Sequence, residues 1–137
     1  MILRHPNPIL STVARPAKTF SAHKTIARMK LALLTEGGLG LAAPQIGISQ
    51  RIIIAKPKAT VFAFINPEII ARSSGTNRMS EGCLSVPGKL VVIERHNSVT
   101  IKHHHGVTEC HGMMARIVQH EIDHLDGITI LEREKAI

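Results

Sequence analysis

The stretch Gln119-His120-Glu121-Ile122-Asp123-His124-Leu125-Asp126-Gly127 decides how the rest of this chain is read. It contains an H-E-x-x-H pattern. On a helix, positions four apart lie one above the other on the same face, so His120 and His124 can grip one metal ion. Glu121 starts one step further round, within reach of a water on that metal without being a ligand. The chemistry needs this arrangement: imidazoles hold a cation that lowers the pKa of its water, and a carboxylate takes the proton. The bland alternative is a solvated helix face that carries two histidines and a glutamate by chance. The neighbours weigh against it. Met113, Met114, Ile117, Val118, Ile122 and Leu125 recur at spacings of three and four, and Gly127 stands where a helix stops. The pattern predicts a mostly buried helix over about 112–126, where an unpaired imidazole pair is costly. A metal is one partner that removes that cost.

The chain has 137 residues, which suits a single domain with its own core. Hydrophobic residues make up 44% and charged ones 20%, an ordinary balance for a soluble globular protein. With three Phe and no Trp or Tyr, packing rests on aliphatic side chains. The same shortage argues against a base-stacking nucleic-acid module. Net charge is +7, but no block of Lys and Arg concentrates it, so no specific nucleic-acid partner is expected. Cys83 and Cys110 do not make a disulfide framework. The N-terminus lacks a signal-peptide pattern, and no apolar run approaches the ~18 residues of a membrane span. A reducing cytoplasm fits, and leaves either cysteine free to bind metal as a thiolate.

Along the chain, residues 1–20 read as an extended, proline-punctuated arm. Ser21 is expected to cap a helix running to about Glu36, with Ile26, Met29, Leu33 and Leu34 facing inward. Residues 38–47 are too rich in Gly and Pro for a regular element and read as a packed loop. Strands are expected at 50–55, 61–66, 68–72 and 89–93. A hairpin pairs 97–102 with 107–109 around His105-Gly106. A last strand is expected at 128–131. The whole is α+β: antiparallel strands around a central buried helix carrying H-E-x-x-H, plus an N-terminal helix. His103-His104-His105 are read as a solvated hairpin end, since adjacent strand residues point to opposite faces.

Catalytic zinc and ferrous sites usually take three protein ligands and keep one position for water. Cys83, in Glu81-Gly82-Cys83-Leu84-Ser85, is the natural third; the competing reading is a small buried hydrophobe. Glu81 and Arg95 are expected to pair and brace the Cys83 loop.

Three separated segments resemble the peptide deformylases: Gly38-Leu39-Gly40-Leu41-Ala42-Ala43-Pro44-Gln45, Glu81-Gly82-Cys83-Leu84-Ser85, and Gln119-His120-Glu121-Ile122-Asp123-His124-Leu125. Pro6-Asn7-Pro8-Ile9-Leu10 resembles the family's N-terminal arm. The resemblance runs from about residue 4 to 131 and implies one catalytic domain over 1–137. It implies a metal held by Cys83, His120 and His124, with Glu121 as general acid/base. It also implies an oxyanion hole made by the Gln45 side-chain amide and the Leu84 backbone N–H. The implied metal is ferrous iron, with nickel, cobalt or zinc accepted. The implied substrate is a nascent peptide beginning with N-formylmethionine, which yields formate. Leu84, Ile117 and His120 would line the methionine pocket, and the backbone at Leu39 and Gly40 would pair with the peptide as an added strand.

Two features depart from the family's pattern. Pro87-Gly88 is followed by Lys89-Leu90 where many bacterial members place an arginine two residues on. The sequence also stops at Ile137 without the further C-terminal helix that longer relatives use to dock on the ribosome. Such compact forms resemble deformylases carried by bacteriophages. A monomer acting in the cytoplasm of a bacterium or phage-infected host is expected. Two rival readings stand beside this one. An H-E-x-x-H endopeptidase would take its third ligand from Asp126, Glu132 or Glu134, the acidic residues after His124. A non-catalytic metal-stabilised binding module would close the site with Cys110 as a fourth ligand.

Overall fold

The computed structural model describes residues 1–135. In chain order these form α1 (Thr19–Glu36), β1 (Gly40–Ala42), β2 (Ile52–Ala55), β3 (Phe62–Ile65), β4 (Glu68–Arg72), β5 (Thr76–Cys83), β6 (Val86–His96), β7 (Ser98–His103), β8 (Gly106–His111), α2 (Gly112–Leu125) and α3 (Ile130–Lys135). Short 3-10 turns occupy Pro8–Ser11 and Ala43–Ile46.

The run Ile52-Ile53-Ile54-Ala55 is apolar at every position, and all four residues are fully buried. Strand side chains alternate between faces, so a strand apolar on both needs a cover on each side. Ile52 and Ile54 meet Ala22, Met29 and Leu33 of α1. Ile53 and Ala55 meet Ala115, Ile117, Val118, Ile122 and Leu125 of α2. This strand is the middle of an antiparallel sheet ordered β1-β2-β3. A second antiparallel sheet, β4-β7-β8, sends Val99, Ile101 and Cys110 into the α2 core. The ribbon β5-β6 packs Val86, Val91 and Ile93 against Ile130 of α3.

α2 ends in a Schellman cap, with Ile128 N–H on Asp123 O and Gly127 N–H on His124 O. Gly127 has φ +75°, and a Cβ there would lie 2.8 Å from the Ser11 backbone. Only glycine permits both the left-handed turn and the close pass of the N-terminal arm.

Several expectations change. α1 begins two residues before Ser21, and the Ser21 hydroxyl instead donates to Lys18 O. Leu34 is 65% exposed because it lies off the Ala22–Thr25–Met29–Leu33 stripe. The expected loop at 38–47 contains β1 and a 3-10 turn: Gly40 opens β1, Pro44 lies in the first turn of the 3-10 segment, and Gly47 ends it in the left-handed conformation. The expected strand at 89–93 is the middle of an 11-residue strand. Its partner β5, Thr-Asn-Arg-Met-Ser-Glu-Gly-Cys, was not legible: it is polar and mostly exposed, and pairing with β6 rather than an apolar face holds it. No strand forms at 128–131. Thr129-Ile130-Leu131-Glu132 is a capping box: the Thr129 hydroxyl oxygen accepts from Leu131 N–H, and Glu132 Oε2 accepts from Thr129 N–H. That start signal outweighs the β-branched run.

Thr129→Ala is expected to lower the free energy of unfolding by about 1 kcal/mol in urea titration, with Thr129→Ser close to wild type.

Candidate metal centre

Two pieces of chain supply the donors. α2 places the His120 and His124 rings edge-on, with centroids 5.2 Å apart. β5 brings Glu81 and Cys83, two residues apart and so on the same face, against that helix. The β5-β6 register shifts between Glu81 and Cys83, so that Gly82 stands opposite Pro87, Gly88, Lys89 and Leu90. Such bulges bend a strand and re-aim its side chains. The donor atoms of Cys83, His120 and His124 all lie within 4.8 Å of one another. Cys83 Sγ stands 3.3 Å from His124 Nε2. Metal bonds of about 2.3 Å to sulfur and 2.0–2.1 Å to nitrogen, at tetrahedral angles, separate such donors by about 3.5 Å. The cluster therefore fits one ion.

The groups around the donors are highly charged. Glu81, 7% exposed, accepts from Arg95 Nε (2.6 Å) and Nη2 (2.9 Å), from Arg116, and from His120 Nδ1 (2.8 Å). Burial alone would push its carboxyl up, but the bonds from His120 and Arg95 outweigh that and hold it at about 2. Its bond to Nδ1 leaves His120 Nε2 as the donor, in the carboxylate–histidine–metal pattern. Burial, with the charges of His120 and Arg95, lowers His124 to about 3. Burial also lowers His120, but the Glu121 carboxylate, then Cys83 and Glu81, carry it up to about 10. Glu121 is 4% exposed, and burial lifts it to about 7 against the pull of His120 and Arg95.

Two buried side-chain atoms meet no partner among the described residues: Glu121 Oε1 and His124 Nδ1. An unmet buried polar atom costs roughly 1–3 kcal/mol. Both belong to residues of the donor cluster, although His124 turns Nε2, not Nδ1, toward Cys83.

The other expected site residues gather here. The Gln45 side chain is oriented by Ala42 N–H, which donates to Oε1 at 2.9 Å. That turns its Nε2 toward Ser85 Oγ (3.1 Å) and Cys83 Sγ (3.7 Å). Leu84 sits between β5 and β6, and among the described residues its N–H meets no acceptor. A cleft of about 530 Å³ runs past these groups, walled by Leu39, Gly40, Leu84, Ile117, His120 and Glu121. β1 is an edge strand of its sheet. Leu39 O already accepts from Lys56 N–H, so alternation turns the Gly40 N–H and C=O to the open edge. A Cβ on Gly40 would lie 2.7 Å from Glu121 Oε2 and 2.6 Å from Ile117 Cγ2. Glycine is what lets β1 pass the carboxylate.

The pairing of Glu81 with Arg95 is observed. Arg116, Asp123, Ser85 and Arg133 were missed in the sequence. Arg116 stands one turn before His120, and a charge on that apolar face was the available signal. Lys89 is tied to Glu134 at 3.1 Å. His103 bonds Thr108 and packs edge-on against Phe64, and His104 and His105 are exposed.

A family model described as polypeptide deformylase matches residues 1–137. The chain is 39% identical to the peptide deformylase of Desulforudis audaxviator, over 99% of this chain and 94% of that one. It is 40% identical to that of Thermotoga maritima, over 93% and 82%. The crystal structure of the Thermotoga maritima peptide deformylase superposes with a TM-score of 0.92, covering 97% of this chain and 95% of that one. The actinonin-bound class I type b peptide deformylase of Acinetobacter baumannii gives 0.90 at 36% identity, with 96% and 95% covered.

Titration with cobalt is expected to bind one ion. Cys83→Ser or His124→Ala should abolish binding, and Cys110→Ser should leave it unchanged.

Proposed function

We infer function from one premise: this chain belongs to the polypeptide deformylase family. It is a metal-dependent hydrolase that removes the N-formyl group from formylated peptides and releases formate. On that premise we assign roles within residues 1–137, read as one catalytic domain centred on α2. Cys83, His120 and His124 hold the metal. When bound there, a divalent ion would supply polarisation of the formyl group and a lowered pKa for a water.

The remaining roles belong to side chains and backbone. Glu121, buried beside the donors, takes the proton from the attacking water and delivers it to the departing amine. Gln45 Nε2 and the Leu84 N–H donate to the formyl oxygen as negative charge grows on it. The fixed Gln45 amide supports this, because a donor already aimed costs no reorganisation during reaction. The Gly40 backbone on the open β1 edge pairs with the peptide as an added strand, with Leu39 beside it. Leu84 and Ile117, with the His120 ring, receive the methionine side chain. The Acinetobacter baumannii relative has been crystallised with Met-Ala-Ser bound, and we read the cleft here as taking peptides of that class.

One thiolate and two imidazoles suit a borderline-soft ion, and we take ferrous iron as the native one. The substrate is the formylmethionyl nascent peptide, and the chain acts as a cytoplasmic monomer on this reading. No described helix is long and apolar enough to cross a membrane.

The observation that carries this reading is the clustering of the three donors, with Cys83, His120, Glu121 and Gln45 lining one cleft beside an open strand edge. The endopeptidase reading finds no third ligand: Asp126 pairs with Arg51, Glu132 caps α3 and Glu134 pairs with Lys89. The binding-module reading fails as well, because Cys110 lies in the core with Val99 and Ile101.

Formate release from formyl-Met-Ala-Ser, assayed anaerobically, should disappear with chelator and return with ferrous or cobalt ion. Glu121→Gln should retain metal and lose about 10²–10⁴-fold in kcat. Gln45→Ala should lose about 10²–10³-fold, mainly in kcat. Cleavage of internal peptide bonds without formate release would overturn the assignment. Gly40→Ala is expected to cut kcat about 10²-fold through displacement of Glu121, with one metal still bound.

A further inference from the structure

The metal donors come from two pieces of chain that no covalent link near the site holds together. Cys83 belongs to the β5-β6 ribbon, and the histidines belong to α2. α3 touches both. Ile130 packs on Val86, Val91 and Ile93 of the ribbon, and Glu134 pairs with Lys89. On the other side, Arg133 meets Asp123, the residue just before His124. Its Nε donates to Asp123 Oδ2 at 2.9 Å and its Nη2 to Oδ1 at 2.6 Å. Arg95 Nη1 shares Oδ2 at 2.9 Å. The other two nitrogens of Arg95 grip Glu81, which in turn accepts from His120 Nδ1. An unbroken series of charge-assisted bonds thus runs from Arg133 to the ring of a metal ligand.

Given the deformylase reading of the site, we propose that Arg133 is a positioning residue for the metal: by clamping Asp123 it fixes Arg95, and through Arg95 and Glu81 it sets the orientation of His120. The physical reason lies in the geometry of the fork. Arg95 has one guanidinium to divide between two carboxylates, and planar bidentate pairing is directional. With Arg133 in place, Asp123 needs only one bond from Arg95, and the remaining two stay on Glu81. Without Arg133, Asp123 keeps a single partner and competes with Glu81 for the same guanidinium. The side chains of Asp123 and Arg95 are 11% and 5% exposed, and that of Arg133 is 41% exposed, so its loss does not open the core. Groups that orient a ligand histidine typically change metal affinity by about 10–100-fold.

The test uses the whole chain loaded with cobalt, comparing Arg133→Ala, Arg133→Lys and Glu134→Gln with wild type. Glu134→Gln removes the other polar tie of α3 without touching Asp123. Three readings are taken: cobalt transfer to a chelator, the cobalt absorption spectrum, and kcat and KM for formyl-Met-Ala-Ser. Arg133→Ala is expected to speed cobalt loss about 10–100-fold, shift the visible bands, and lower kcat with KM within about twofold of wild type. Arg133→Lys, which keeps the charge but not the fork, should fall between. Glu134→Gln should match wild type. Cobalt loss and spectrum unchanged in Arg133→Ala would overturn the proposal, and so would equal loosening by Glu134→Gln, which would mean that α3 acts only by docking. If Arg133→Ala does not fold, Arg133→Gln is judged by the same two criteria. A wild-type chain that binds no cobalt would overturn the metal reading itself, and this proposal with it.

Discussion

The carboxylate of Glu81 is the contact on which the rest of the site depends. It is nearly sealed from water and carries a charge that burial alone would neutralise. Arg95, Arg116 and His120 surround it and keep it ionised. An ion group of this kind is a poor source of net stability, because desolvation offsets most of the attraction. Its value is geometric. Removing one partner from such a group typically costs about 3–5 kcal/mol, so the arrangement has few competitors. Arg116 and His120 stand on α2, Glu81 on β5 and Arg95 on β6. One carboxylate therefore sets the distance between ribbon and helix, and with it the distance from Cys83 to the two imidazoles.

The hydrophobic part of the fold holds that arrangement from behind. β2 is apolar on both faces and lies between α1 and α2, which leaves α2 little freedom to slide. The α2 face that is not spent on the core carries His120, and Glu121 and His124 sit at the boundary. The N-terminal arm closes the other side: Leu3 N–H donates to Gln45 O and His5 N–H to Ser85 O. Those two bonds tether the turns that present the Gln45 amide and the Leu84 N–H. Apolar packing places the elements, and backbone bonds from a proline-rich arm trim the loops.

The electrostatic pattern separates roles among groups of the same type. Glu81 and Glu121 are both buried carboxyls close to His120. Glu81, ringed by cationic donors, stays ionised well below neutral pH, whereas Glu121, with one oxygen unpartnered, is lifted to about 7. A carboxyl held at about 2 is suited to orient a ligand, and one poised near neutrality is suited to exchange protons. His120 and His124 differ in their second nitrogen: His120 Nδ1 meets the Glu81 carboxylate, whereas His124 Nδ1 meets no partner among the described residues.

The helix that carries the H-E-x-x-H pattern was legible from the amino-acid order alone. Histidines four apart on an apolar stripe, ended by Gly127, specify a helix with both imidazoles on one side, because helical period and its stop signal are local properties. The pairing of Glu81 with Arg95 was expected and is observed, but the β5-β6 register that brings the two together was not legible. Other features were decided only by tertiary structure. β5 has no apolar alternation and exists because β6 pairs with it. The 38–47 stretch becomes an edge strand only because Gly40 can pass the Glu121 carboxylate without a side chain. Asp123 is an unspecified position of the H-E-x-x-H pattern, and nothing near it in sequence shows that Arg133 and Arg95 meet it. The reason is physical: helical period and caps depend on neighbours within a few residues, whereas charge networks and strand partners depend on which distant groups the packed core brings together.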